Sequence, residues 1–202
     1  MNSLLFILAT QLPAGSQCPV IPQAQVARPG APPIVVGWHD ELNSVKLWQP
    51  LEIGNKPTVS VPIAGALRMD LGKVPAGWPY EYQWSGVTRD AMVDVGRFPF
   101  LSANVSHLLG GYAHMGIDVL DVAGNAVKHF RSSTLQAGGV TFIDLSSSLD
   151  PAIYRLRLRL IVGGSNEGCY ATYTWVRFTS AKDGERMRSD PNFRWIVEER
   201  HK

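Results

Sequence analysis

Cysteine is scarce in this chain: Cys18 and Cys169 are the only two among 202 residues. Two distant thiols cannot build a cysteine metal site, and they leave open whether a disulfide forms. No run of about 20 apolar residues occurs, which excludes a helical membrane span. An excess of one charge sign is missing too. Nineteen Lys and Arg stand against seventeen Asp and Glu, a net charge of +2, whereas nucleic-acid binders carry dense basic patches or a pI above about 9. Familiar catalytic signatures are absent: there is no Gly-x-Ser-x-Gly elbow, no His-Glu-x-x-His and no phosphate-binding glycine loop. Amphipathic helical periodicity is not visible either.

What is present is a series of short, punctuated β patterns. The clearest is Tyr154-Arg-Leu-Arg-Leu-Arg-Leu160. A side-chain period of two sends Tyr154, Leu156, Leu158 and Leu160 to one face of a sheet and Arg155, Arg157 and Arg159 to the other. A second signal runs from Ile117 to Arg131, where Gly124-Asn125 separates two alternating segments. That reads as a hairpin with a two-residue turn, setting Ala123 opposite Ala126, Val119 opposite Phe130 and Asp118 opposite Arg131. Further strands are predicted near Ile34–Trp38, Lys46–Pro50, Thr58–Pro62, Gly65–Leu71, Tyr80–Trp84, Val87–Val95, Phe100–Leu109, Val140–Leu145 and Ala171–Phe178. Pro62 demotes its strand to an edge or a bulge, because proline donates no ladder hydrogen bond. About ten short strands of this kind predict an all-β antiparallel sandwich or jelly roll.

The domain organisation follows. Residues 1–33 combine a short apolar segment with six prolines between Pro13 and Pro33. They read as a degenerate signal peptide, or the apolar remnant of a longer chain's linker, followed by a Pro-rich linker. Residues 34–180 form the sandwich. Residues 181–202 read as a charged, mostly solvated tail or linker in which Phe193-Arg-Trp-Ile-Val197 could dock weakly.

The segments Val93-Asp-Val-Gly-Arg-Phe-Pro-Phe100, Gly116-Ile-Asp-Val-Leu-Asp-Val-Ala-Gly124 and Tyr173-Thr-Trp-Val-Arg-Phe178 together resemble galactose-binding-like β-sandwich modules. Such modules accompany secreted bacterial glycoside hydrolases and polysaccharide lyases. The resemblance covers about residues 36–180 and is one of pattern. It implies a jelly roll, sugar binding through loops or one sheet face, a structural calcium and an extracellular location.

Candidate ligand-binding residues fall into three groups. The first is a polar sheet face: His114, Asp118, His129 and Arg131 from the hairpin, the arginines represented by Arg157, and Trp175 with Tyr173 and Arg177 from the last strand. Aromatic rings stack on sugar faces, and arginine grips carboxylate or sulfate in bidentate fashion. Its bland counterpart is a solvated face on which acidic neighbours neutralise the arginines. The second group is the aromatic cluster Trp78, Tyr80 and Trp84, either a binding platform or core filling. The third is the loop Gly163–Tyr170 with Asn166, Glu167 and Tyr170, either ligand-facing or a plain connection. Asp40, Glu41 and Asn43 offer oxygens to a calcium ion but lack EF-hand spacing.

The expected function is therefore non-catalytic binding of a polysaccharide, acidic ones included, by a secreted, monomeric accessory module beside a catalytic partner. The alternatives are a structural or interaction domain that binds no sugar, and a polysaccharide lyase using His114 or Tyr112 as base with Arg131 neutralising a uronate.

Overall fold

The computed structural model describes residues 34–51, 57–72, 84–164, 168–189 and 195–197. Among them are twelve strands: β1 (Ile34–Asp40), β2 (Gln49–Pro50), β3 (Thr58–Ile63), β4 (Ala66–Asp70), β5 (Trp84–Asp94), β6 (Phe100–Leu109), β7 (Tyr112–Leu120), β8 (Ala126–Arg131), β9 (Gly139–Asp144), β10 (Ile153–Gly163), β11 (Tyr170–Thr179) and β12 (Trp195–Val197). One α-helix, α1 (Ala181–Ser189), lies between the last two.

The strands form two sheets. Five make one of them, in the order β2-β5-β10-β7-β8. In the seven-stranded sheet, β11 pairs along one edge with β6, which in turn pairs with β9. Its other edge is shared by β4 and β1, which lead on to β3 and β12. Every pairing is antiparallel except β1 with β12. The molecule is an antiparallel β-sandwich, the predicted all-β class. Pro62 sits on edge strand β3, beside a register irregularity between Ser60 and Ile63, where a missing amide proton costs no ladder bond.

The core lies between the sheets. Leu156, Leu158, Leu160 and Val162 of β10 meet Val87, Ala91 and Val93 of β5 and Met115, Ile117 and Val119 of β7 on one side. Facing them are Leu67 and Met69 of β4, Leu101, Ala103 and Val105 of β6, and Val176 and Phe178 of β11. Tyr173 joins the two sheets. It is fully buried, and its hydroxyl stands 3.0 Å from the His114 carbonyl and 2.8 Å from the Ile161 carbonyl. Those carbonyls belong to paired residues of β7 and β10, and the single phenolic proton is shared between them. Burial pushes the Tyr173 phenol well above its ordinary pKa, so it stays a donor.

Three expectations are corrected. The hairpin register is Ile117 opposite Phe130, Asp118 opposite His129 and Gly116 opposite Arg131, two residues from the predicted pairing. The cause is the turn: it runs from Asp121 to Asn125, and the Asp121 side chain accepts from the Asn125 amide at 2.8 Å. A shift of two preserves parity, so every side chain keeps its face. Around Lys46 there is a short 3-10 turn, Val45–Leu47, where a strand was predicted. After residue 180, where no helix was predicted, α1 forms and buries Gly184 and Met187 against β6; β12, part of the segment expected to dock, extends the sheet beside β1. The cap was legible: Ser180 Oγ accepts from the Asp183 amide at 3.1 Å and donates to its carboxylate at 3.2 Å, and Ser-x-x-Asp is a sequence pattern for a helix start. Residues 1–33 lie outside the described residues.

Two measurements check this packing. Tyr173→Phe removes a fully buried donor that joins the two sheets and should cost about 1–3 kcal/mol in chemical denaturation. Gly184→Ala pits two effects against each other. Alanine favours a helix by about 1 kcal/mol, but a Cβ here would lie 2.1 Å from Phe100 ring carbons, and overpacking typically costs about 1–3 kcal/mol. The clash should win and lower the thermal midpoint.

Candidate functional site

The outer faces of the two sheets differ. On the seven-stranded sheet, α1 lies over Phe100, Ser102 and Phe142: Arg188 stands 5.3 Å from the Phe100 ring and 5.4 Å from the Phe142 ring, and Met187 reaches Ser102. The five-stranded sheet carries no helix among the described residues, and its outward side chains line two adjoining cavities.

Strand pairing determines which side chains meet there. Along β5 and β10 the outward pairs are Trp84 with Gly163, Gly86 with Ile161, Thr88 with Arg159, Asp90 with Arg157 and Met92 with Arg155. On the other side of β10, β7 places Tyr112, His114, Gly116 and Asp118 opposite Gly163, Ile161, Arg159 and Arg157. β8 then adds His129 and Arg131 beside Asp118 and Gly116.

Glycines hollow this surface. A Cβ on Gly163 would lie 2.1 Å from the Tyr112 ring, and one on Gly116 would lie 3.1 Å from Arg159 Nε. The tyrosine and the arginine lie flat over backbone where side chains would otherwise stand. Gly86 likewise admits Leu51. A glycine within a strand marks such close approach, and that is the sequence signal that could have found Gly116 and Gly86.

The arginines are partly neutralised. Asp90 takes Arg155 at 2.8 Å and Arg157 at 3.0 Å. Burial works against its carboxylate, but the hydrogen bonds from Arg157 and Arg155 outweigh that and hold its pKa below the ordinary value. Asp118 takes Arg159 at 2.9 Å and also the His129 ring, which itself touches the Arg159 guanidinium. Side-chain exposure falls from 47% at Arg155 through 37% at Arg157 to 21% at Arg159, so the buried end of the row is the one inside the cavities. Burial lowers the Arg159 pKa, and Asp118 opposes that shift.

The larger cavity, about 530 Å³, is lined by Gln49, Pro50 and Leu51 on one flank, and by Trp84, Thr88, Asp90, Asp118, Arg157 and Arg159 on the other. The smaller, about 230 Å³, is lined by Trp84, Tyr112, His114, Gly116, His129, Arg131, Arg159 and Ile161. Trp84 and Arg159 border both, so they form one groove with two chambers. Tyr112 and His114 stack, their ring centres 5.9 Å apart and 14° from parallel. Three side-chain atoms of the lining are buried without a hydrogen-bond partner among the described residues: Thr88 Oγ1, His114 Nδ1 and Arg159 Nε.

Of the sequence-predicted residues, Trp84, His114, Arg131 and Arg157 come together here. Tyr170 and Trp175 do not. They belong to β11 in the other sheet, across the core, with Arg68 3.8 Å over the Tyr170 ring and Arg177 4.4 Å over Trp175. The expected outward trio of Tyr173, Trp175 and Arg177 also breaks up. Register shifts on either side of Tyr173 turn it into the core, and Arg177 is buried beside Glu41. Burial lowers the Arg177 pKa to about 10. Trp78, Tyr80, Asn166 and Glu167 lie outside the described residues.

Two of the three residues expected to offer oxygens to calcium, Asp40 and Glu41, have protein partners. Asp40 accepts from the Leu42 amide at 2.7 Å, from Trp48 Nε1 at 2.8 Å and from Arg89, while Glu41 faces Arg177 at 3.3 Å. Among the described residues, no three His, Cys, Asp or Glu side chains gather where they could hold a metal ion. Cys169 is buried, and its Sγ donates to the Gly110 carbonyl at 2.9 Å. Sequence reading had not selected Thr88, Asp90, Gly86 or Gly116, because their role depends on which strands adjoin β10.

No protein-family model matches this chain, and no curated protein matches it. Among solved structures, it is similar to the family 11 carbohydrate-binding module of the cellulosomal cellulase Lic26A-Cel5E of Clostridium thermocellum (TM-score 0.48, 12% identity, covering 80% of this chain and 95% of that one). It is also similar to the CBM22-1 xylan-binding domain from Paenibacillus barcinonensis Xyn10C (TM-score 0.44, 13% identity, 75% and 99%). A third similar structure is the enzymatically active domain of bacteriophage CBA120 tailspike protein 4 (TM-score 0.44, 14% identity, 68% of this chain); there the match spans 20% of the longer chain. No helix of the described residues is long and apolar enough to cross a membrane.

One consequence concerns pH. Burial first, then the charges of Arg131, Arg159 and His129, lower the His114 pKa from 6.5 to about 4. Above pH 6.5 the ring is neutral folded and unfolded alike. As pH falls from 6.5 towards 4, only the unfolded chain takes up the proton, so the folded state loses at most about 1.4 kcal/mol per pH unit from this group. Urea denaturation across that window should show a shallower fall in stability for His114→Gln than for the parent chain.

Proposed function

We propose that the outer face of the five-stranded sheet binds a polysaccharide chain, without catalysing its cleavage. The observation that carries this reading is the coincidence of Thr88 Oγ1, His114 Nδ1 and Arg159 Nε, buried and unpartnered, with the rings of Trp84 and Tyr112 in one open groove. Buried polar atoms in folded proteins are almost always hydrogen-bonded, and an exception at a surface groove points to a ligand that supplies the missing partner. Sugars offer both halves of the required chemistry: hydroxyls that donate and accept, and apolar ring faces that stack on indole and phenol.

Extent supports a chain rather than a single sugar. Five strands at a spacing of about 4.8 Å make a face roughly 19 Å wide, and the two chambers adjoin across it. The paired Asp90 with Arg155 and Arg157, and Asp118 with Arg159, hold each other in position before any ligand arrives. Prior ordering of this kind reduces the entropy that binding must overcome. Service as an accessory module outside the cell, beside a catalytic partner, belongs to the same proposal.

Affinity electrophoresis against a panel of plant and algal polysaccharides tests it. At least one polymer should retard the protein, and Trp84→Ala should weaken that retardation by about tenfold or more, the loss expected for a stacked ring and its buried area. Retardation by none of them, or equal retardation of the Trp84→Ala variant with unchanged circular dichroism, would sink the reading.

A further inference from the structure

The two chambers differ in charge. Asp90 and Asp118 border the larger one, where they meet Arg157 and Arg159. Among the described residues no carboxylate borders the smaller one: its ionisable lining consists of Arg131, Arg159, His114, His129 and Tyr112. Arg131 pairs with no carboxylate among the described residues, its hydrogen bond going to the Thr134 hydroxyl at 3.3 Å. Arg159 gives one end of its guanidinium to Asp118 and leaves Nε without a partner. Among the described residues of the face, four guanidinium groups (Arg131, Arg155, Arg157, Arg159) meet two carboxylates. The surplus positive charge is concentrated at this end.

We propose that the smaller chamber is an oxyanion subsite, in which Arg131 and Arg159 hold the acidic group of a charged sugar residue, a uronate carboxylate or a sulfate ester. The inference rests on the polysaccharide reading above and narrows it to acidic glycans. A guanidinium offers two parallel N–H donors to such a group, roughly twice as strong as neutral hydrogen bonds. Trp84 on one side and the stacked Tyr112 and His114 on the other bound the chamber, whose volume of about 230 Å³ suits one sugar ring. The Asp118 carboxylate would repel an anion, but Arg159 and His129 both bind it and it lies outside this lining. Burial first, and after it the charges of Arg131, Arg159 and His129, depress the His114 pKa. Sequence alone suggested acidic ligands from a row of three arginines; the structure transfers the role to Arg131 with Arg159, because Asp90 already occupies Arg155 and Arg157.

Calorimetric titration of the full chain separates the possibilities. The probes are oligogalacturonate, its methyl ester, a sulfated oligosaccharide and the matching unsulfated one. Each comparison changes only the charged group. At least one acidic probe should bind about tenfold or more tightly than its neutral counterpart, the discrimination expected when a charged hydrogen-bonded pair is lost. Arg131→Gln should bring that ratio close to one, and Arg131→Lys, which keeps the charge without the fork, should leave an intermediate ratio. Which acid shows the preference distinguishes carboxylate from sulfate. Equal affinity for acidic and neutral forms would overturn the subsite while leaving the groove reading intact. A preference that survives Arg131→Gln would overturn the assignment of this chamber. Binding of none of the four probes, by a chain that binds other glycans in a Trp84-dependent way, would overturn acidic selectivity. No glycan binding at all would remove the groove reading with it.

Discussion

The pleat of β10 is the constraint on which both the packing and the surface of this sandwich depend. Alternate residues of the strand must point to opposite faces, and here they are leucine and arginine. Leu156, Leu158 and Leu160 take central places in the core, which commits Arg155, Arg157 and Arg159 to the outside. Neighbouring arginines on one face stand about 7 Å apart and repel each other by about 2 kcal/mol at an effective dielectric constant of 20. Counter-charge has to come from the strands beside β10, and it does: Asp90 from β5 and Asp118 from β7. A central strand can draw on two neighbours, and an edge strand could not.

The same arrangement goes with two outer faces that differ, one hollowed into a groove and the other partly covered. On the seven-stranded sheet, α1 covers Phe100 and Ser102, and the Arg177–Glu41 pair is drawn in beside Trp175. On the five-stranded sheet, glycines at 86, 116 and 163 lower the floor, and Trp84 and Tyr112 border the hollow. Side chains that elsewhere would stand upright lie flat there. Tyr173 ties the floor to the core from beneath, since the carbonyls it reaches belong to His114 and to Ile161, both lining residues of the smaller chamber. The position of the His114 side chain thus depends on a hydroxyl carried by the opposite sheet.

Much of the fold was legible in the chain. The arginine strand, the hairpin, the Phe100–Leu109 strand and the edge position of Pro62 follow from period, turn chemistry and the missing proline donor. The hairpin illustrates how a local error can be harmless: its register was displaced by two residues, yet Asp118, His129 and Arg131 stayed on the outer face. The helix α1 was missed because just Gly184 and Met187 of its nine residues are buried, which leaves no apolar stripe to detect. Its Ser-x-x-Asp cap was the available clue.

Periodicity by itself determined which side chains of each strand face oil and which face water, because that depends on the chemistry of one short segment. It could not determine which strands become neighbours. Tyr170 and Trp175 look as suited to sugar binding as Trp84 does, but β11 pairs with β6 and lies across the core from β10. Strand order is a property of long-range pairing and of how two apolar faces close over each other. Only the tertiary structure therefore brought Trp84, His114, Arg131 and Arg159 around one groove, and only it left Arg131 there without an acid among the described residues.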